Sequence, residues 1–80
     1  MPEILRYYDE NGLPHREAGP AVIGTRGAEV WFHHGKLHRE DGPALTTAWG
    51  VNQWYLHGEE VSEDVIKLLA FVHGKDLVDN

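Results

Sequence analysis

The chain has no cysteine, a single serine, and only 7 basic residues against 13 acidic ones in 80. Without cysteine there is no disulfide framework and no thiolate zinc site. Ser62 is the only serine, and no histidine stands near it in sequence, so a hydroxyl or thiol nucleophile with an adjacent base is not expected. The net charge of −6 opposes the basic face that free nucleic-acid binders present, which argues against direct binding of DNA or RNA. No stretch approaches the roughly 18 apolar residues of a membrane span. The opening "MPEILRYYDE" also lacks the basic-then-apolar order of a signal peptide. The expectation is a cytoplasmic protein with no membrane association. Its length implies one domain, 1–80, burying about 60% of the surface its unfolded chain exposes.

What the chain does have is a repeat. "HREAGPA", His15 to Ala21, returns as "HREDGPA", His38 to Ala44, at a spacing of 23. In that register Tyr8 aligns with Trp31 and Trp54, Gly12 with Gly35 and Gly58, and Gly27 with Gly50. His15, Arg16, Gly19 and Pro20 align with His38, Arg39, Gly42 and Pro43. So many glycines and aromatics in register define about two and a half copies of one unit, approximately 8–30, 31–53 and a partial 54–61.

Each unit reads as a β-hairpin with a trailing loop. "AVIGT" and "AEVWFH" flank an "RG" turn, and "ALTTA" and "VNQWYLH" flank "WG". "ENG", "HHG" and "LHG" read as three versions of a second turn, with glycine at a left-handed position. Pro20 and Pro43, which lack an N–H, suit a strand start or a sheet edge. The heptapeptide is then a loop leading into the next strand. Its His and Arg are expected to donate to backbone carbonyls or to stack on the repeat aromatics. A reaction centre is usually written once, whereas a bracing motif is written in every repeat. His15, Arg16, Gly19, Pro20, Trp31, His38, Arg39, Gly42, Pro43 and Trp54 are accordingly read as structural.

After Val61 the pattern changes. Val65, Ile66, Leu68, Leu69 and Val72 recur at helical spacing, with Phe71 widening the stripe. Ser62 suits an N-cap, Glu63 and Asp64 complement the helix dipole, and Gly74 suits the C′ stop. A helix over about 63–73 is expected, followed by a frayed tail "KDLVDN". The fold class is α+β: an antiparallel sheet of repeated hairpins, about five or six short strands, with one C-terminal α-helix covering it.

The pattern "WFHHGKLHREDGPA", Trp31 to Ala44, resembles the HRxDGPA repeat of small phage and prophage proteins, a distant cousin of MORN-type hairpin repeats. The resemblance covers about Tyr7 to Val65. The first copy departs from it, with Ala18 where the second has Asp41 and Tyr8 in place of tryptophan. The resemblance implies a phage or mobile-element origin and a non-catalytic binding role. It carries no shared enzymatic activity.

Six histidines raise the question of a metal, with His33, His34, His38 and His57 able to approach one another if adjacent turns stack. No H-x-x-x-H on a helix supports a site, and His34 and His57 stand where Asn11 stands in the first copy, so no metal and no cofactor are expected. His38 with Glu40 or Asp41 could pair as acid and base, but a sheet this small offers little concavity, and no enzyme is expected. Alternation places Trp31 and Trp54 on one sheet face and Phe32 and Tyr55 on the other. Trp49, beside Gly50 in a turn, is a candidate interface anchor. Glu40 and Asp41, with Glu59, Glu60, Glu63 and Asp64, are candidate partner-binding acids. Two functions fit: a phage-type inhibitor, anti-CRISPR-like, whose carboxylates occupy a basic nucleic-acid groove on a host defence complex, or an assembly module that self-associates or docks on a phage or toxin component. Either would act as a monomer or a homodimer.

Overall fold

The computed structural model describes residues 4–75. The architecture is α+β: eight short strands and one C-terminal helix. In chain order the strands are β1 (Leu5–Arg6), β2 (Val22–Ile23), β3 (Glu29–Val30), β4 (Phe32–His33), β5 (Lys36–Leu37), β6 (Leu45–Thr46), β7 (Asn52–Leu56) and β8 (Glu59–Val61). Six form one antiparallel sheet in the order β1-β2-β3-β6-β7-β8, and β4 and β5 form a separate hairpin. The helix α1, Glu63–Lys75, follows Ser62 and begins with the acids Glu63 and Asp64. It runs through Gly74 rather than stopping there. Of the expected tail, residues 76–80 lie outside the described residues.

"AEVWFH" is not one strand. It breaks at Trp31, because Trp31 changes partners there. Its N–H donates to Ala44 on one side, and its carbonyl accepts from the His38 N–H on the other. The chain therefore leaves β6 and turns into the β4–β5 hairpin. Trp31 and Phe32 therefore belong to different pairings, Trp31 at the break and Phe32 on β4 opposite Leu37, and both border one cleft.

Tyr7 makes the same switch, donating to Ala21 and accepting from His15. Tyr7, not Tyr8, is therefore the spatial counterpart of Trp31. The first hairpin holds one extra residue between its aromatic and its glycine, so the spacing of 23 holds only from Gly12 onward. The turns differ accordingly. His34 and Gly35, like His57 and Gly58, are both left-handed, at φ 49° and 85° and at 52° and 86°. They close two-residue loops in which both central residues need positive φ. In the first hairpin only Gly12 is left-handed among its turn residues, and Gly12 N–H donates to the Asp9 carbonyl while Asp9 N–H donates to Leu13. That is a three-residue loop, so Asn11 does not do the work of His34. The Trp49 turn has the same form, with Gly50 N–H donating to Thr47 and Thr47 N–H to Val51. Asp9 Oδ1 accepts from Asn11 and Leu13, and Thr47 Oγ1 accepts from Trp49 and Val51.

The core is thin. Ala21 and Ala44, the last residue of each heptapeptide, are fully buried, and Ile66 is 3% exposed. Each alanine N–H donates into the next strand, to Val30 and to Gln53. α1 packs on β7. Its buried anchor is Ile66, while Leu68, Phe71 and Val72 on the same helix are exposed.

The two motif glycines are needed because arginine lies on them. A Cβ on Gly42 would stand 2.8 Å from Arg39 Cζ, and one on Gly19 would stand 3.3 Å from Arg16 Cζ. The guanidinium can move, but only by leaving its other partners. Gly42→Ala is therefore expected to cost about 1 kcal/mol through the lost cation–π stack and hydrogen bonds, and more than Gly19→Ala. Urea denaturation of the two variants checks the order, and an equal or reversed order would contradict it.

Candidate functional site: the motif loops and the histidine row

The heptapeptides brace one hairpin against the next, and they do so twice with the same atoms. His15 Nδ1 accepts the His34 N–H at 2.9 Å, and His38 Nδ1 accepts the His57 N–H at 3.0 Å. Beside these, Gly35 N–H donates to the Pro14 carbonyl and Gly58 N–H to the Leu37 carbonyl, both at 2.8 Å. Arg16 N–H reaches the Phe32 carbonyl at 3.4 Å, and Arg39 N–H reaches Tyr55 at 3.1 Å. Each motif loop, with the residue just before it, thus holds three backbone groups of the following hairpin. The imidazole accepts here and does not donate, contrary to the expectation from sequence. The residue it holds is a left-handed histidine, a conformation that costs an L-residue roughly 1–2 kcal/mol.

The arginines close the loops on themselves. Arg16 Nη1 donates to the Pro20 carbonyl and Arg39 Nη1 to Pro43, at 3.3 and 3.2 Å. Arg16 lies 4.2 Å from the Tyr7 ring centre, and Arg39 lies 3.8 Å from that of Trp31. The first loop keeps these contacts in spite of Ala18. What it lacks is the bond from Arg39 Nε to Asp41 at 2.8 Å in the second loop.

Stacking the hairpins brings five histidine rings into a row. His34 lies parallel to His15 with centres 3.9 Å apart, and His33 approaches His15 at 4.8 Å and His34 at 4.7 Å. His33 then reaches His38 at 5.8 Å, and His38 reaches His57 at 4.4 Å. Three carboxylates flank the row. Asp9 Oδ2 meets His34 Nδ1 at 2.7 Å, Glu17 meets His15 Nε2 at 2.8 Å, and Glu40 meets His38 Nε2 at 3.4 Å. Asp9 is 4% exposed in its side chain, and its hydrogen bond from His34, with those from the Leu13 and Asn11 N–H groups, holds its pKa down to about 2 from 3.8. His33 is pushed below its ordinary 6.5, first by burial and then by the neighbouring His15, His34 and His38, with Glu17 opposing.

A cleft of about 550 Å³ lies beside the row, between the two motif loops and Ala70 of α1. Arg16, Glu17, Trp31, His33 and Arg39 are among its walls. Trp31 Nε1 is buried without a hydrogen-bond partner among the described residues.

The acids singled out in the sequence fall on separate elements. Glu40 and Asp41 sit in the second motif loop, engaged with His38 and Arg39. Glu59 and Glu60 lie on β8 and Glu63 and Asp64 on the first turn of α1, all four exposed. Trp49 is 87% exposed and does not fold back on the sheet. Sequence reasoning passed over Asp9, Glu17 and Thr47. For Asp9 a signal existed, since "DENG" puts aspartate at the first position of a turn ending in glycine.

Among the described residues no helix is long and apolar enough to cross a membrane. Comparison with known families, with curated proteins and with solved structures gave no match.

His38→Ala leaves the His57 N–H without its acceptor and should lower stability by about 1 kcal/mol, with His15→Ala similar; unchanged urea midpoints in both would show that the bond contributes nothing. On pH, His33 takes up a proton less readily when folded, so stability present above 6.5 should fall as pH drops below that value. Asp9 gives a second loss, from 3.8 down to about 2, as its carboxylate is protonated. Thermal melts across this range check both windows; His33→Gln should lessen the first loss and Asp9→Asn the second.

Proposed function

We propose that the protein is a non-enzymatic, phage-type inhibitor that binds a host nucleic-acid-handling defence complex, in the manner of an anti-CRISPR protein, and obstructs its DNA-binding surface. It would act in the cytoplasm of the host cell. The observation that carries this reading is the outer face of α1. Leu68, Phe71 and Val72 are exposed at 63%, 61% and 50%. An apolar stripe left open on a helix is a protein-docking feature more than a solubilising one. The same end of the chain presents Glu59, Glu60, Glu63 and Asp64, so the partner surface would be apolar at its centre and basic at its rim. Trp49 offers a second anchor. The acidity and the repeat that resembles those of phage proteins support the same reading.

A second reading, self-assembly, is favoured by the sheet edges. β1 and β8 are the terminal strands of the six-stranded sheet, and Leu5 on β1 is 45% exposed. Edge strands of this kind pair with further strands. A molar mass by light scattering that stays monomeric on dilution and at high concentration would exclude it.

The inhibitor reading is tested with a purified multi-subunit CRISPR effector and its target DNA, at two salt concentrations. The protein should reduce DNA binding, more strongly at low salt. Phe71→Glu, on an exposed position, should retain the fold and weaken inhibition about tenfold or more, the loss of one anchor residue. DNA binding by the effector that is unchanged at both salts overturns the mechanism.

A further inference from the structure

The repeat is not symmetric where its histidines are densest. One donor atom from each of His15, Glu17, His33 and His34 lies within 4.8 Å of every other. The second loop copies part of this: His38, Glu40 and His57 take the places of His15, Glu17 and His34. It does not copy the rest. The position of His33 in the last hairpin is Leu56, and the position of Asp9 in the second hairpin is His33. The complete group is therefore written once, on a scaffold written twice.

The frame around the group is built by bonds that do not involve its donors. The Gly35 N–H to Pro14 bond and the Arg16 N–H to Phe32 bond fix the first motif loop against the β4–β5 hairpin. This holds the two contributing segments, 15–17 and 33–34, at a set separation, as a preorganised site requires.

The hydrogen bonds also assign the protons. His15 Nδ1 accepts the His34 N–H, so its ring hydrogen sits on Nε2 and is donated to Glu17 at 2.8 Å. Both nitrogens of His15 are then committed, and His15 orients Glu17. The Asp9 carboxylate accepts from His34 Nδ1 at 2.7 Å, which leaves the lone pair of His34 on Nε2. A carboxylate behind a histidine in this way is the usual outer support of a metal-bound imidazole. His33 adds a second imidazole and Glu17 a carboxylate oxygen.

We propose that Glu17, His33 and His34 bind one zinc ion, with water completing a tetrahedral set and with His15 and Asp9 as positioning residues. Two imidazoles and one carboxylate suit zinc, whereas calcium and magnesium require oxygen-rich sites. The ion would cross-link the first motif loop to the second hairpin, adding a bond at the junction between repeats.

Isothermal titration calorimetry of the full chain, freed of metal by a chelator and dialysed, should show one strong equivalent of Zn²⁺ and none of Mg²⁺. Glu17→Gln and His33→Gln should each lower the affinity about tenfold or more, and Asp9→Asn by about 10–100-fold. His34→Asn tolerates the left-handed turn and should weaken binding like the other ligand changes. His57→Asn makes the matching change at the other turn and should leave binding unaltered. Cobalt-loaded protein should show the visible absorption of a four-coordinate ion, and His33→Gln should abolish it. Circular dichroism of each variant separates loss of a ligand from loss of fold. Zinc binding absent from the native chain, or equal in the native chain and in folded Glu17→Gln, His33→Gln and His34→Asn, overturns the proposal.

Discussion

A neutral imidazole accepting one backbone N–H organises this protein. It occurs twice, at His15 with His34 and at His38 with His57. In each case the donor is a left-handed residue at the tip of the next hairpin, a group that the strand ladder cannot reach. The bond therefore fixes two things together: the turn conformation of one repeat and its distance from the previous one. It requires a ring with a lone pair on Nδ1, since a protonated imidazole offers only donors. The packing of Arg16 and Arg39 on aromatic rings and on the motif glycines keeps the loop that carries each histidine in place.

This arrangement explains how strands of mostly two residues can form a sheet. Little in the chain resembles a conventional core, with two alanines and one isoleucine as its buried apolar residues among those described. A small domain with so little buried volume leans on specific polar contacts. The bracing bonds occur at the surface and leave the apolar face of α1 largely unused by the fold. The inhibitor reading starts from that unused face, and the assembly reading from the open edges of the sheet. The zinc proposal concerns a different place, the junction between the first two hairpins, and stands independently of them.

The repeat, the loop nature of "HRExGPA", the glycine turns and the start of the helix were legible because each depends on local chemistry. Proline lacks a donor, glycine tolerates positive φ, and acids favour a helix start. The sliding of the first hairpin was harder to see. Tyr7 and Tyr8 are adjacent and alike, and one extra turn residue moves the role from one to the other. The break at Trp31 was hidden for a related reason: "AEVWFH" alternates as a strand should, and only the competing partners Ala44 and His38 divide it. Asp9 and Glu17 read as ordinary surface acids until His34 and His15 are seen beside them.

By itself the sequence determined the periodic unit, the α+β class, the place of the helix and the bracing role of the duplicated loops, since these follow from backbone preferences and spacing. Tertiary structure alone decided which atom of each histidine is used, which acid faces which ring, and which side of α1 is left uncovered. Those outcomes depend on the offset between hairpins that lie 23 residues apart along most of the repeat. A single residue added to one turn changes that offset, and no local preference records it.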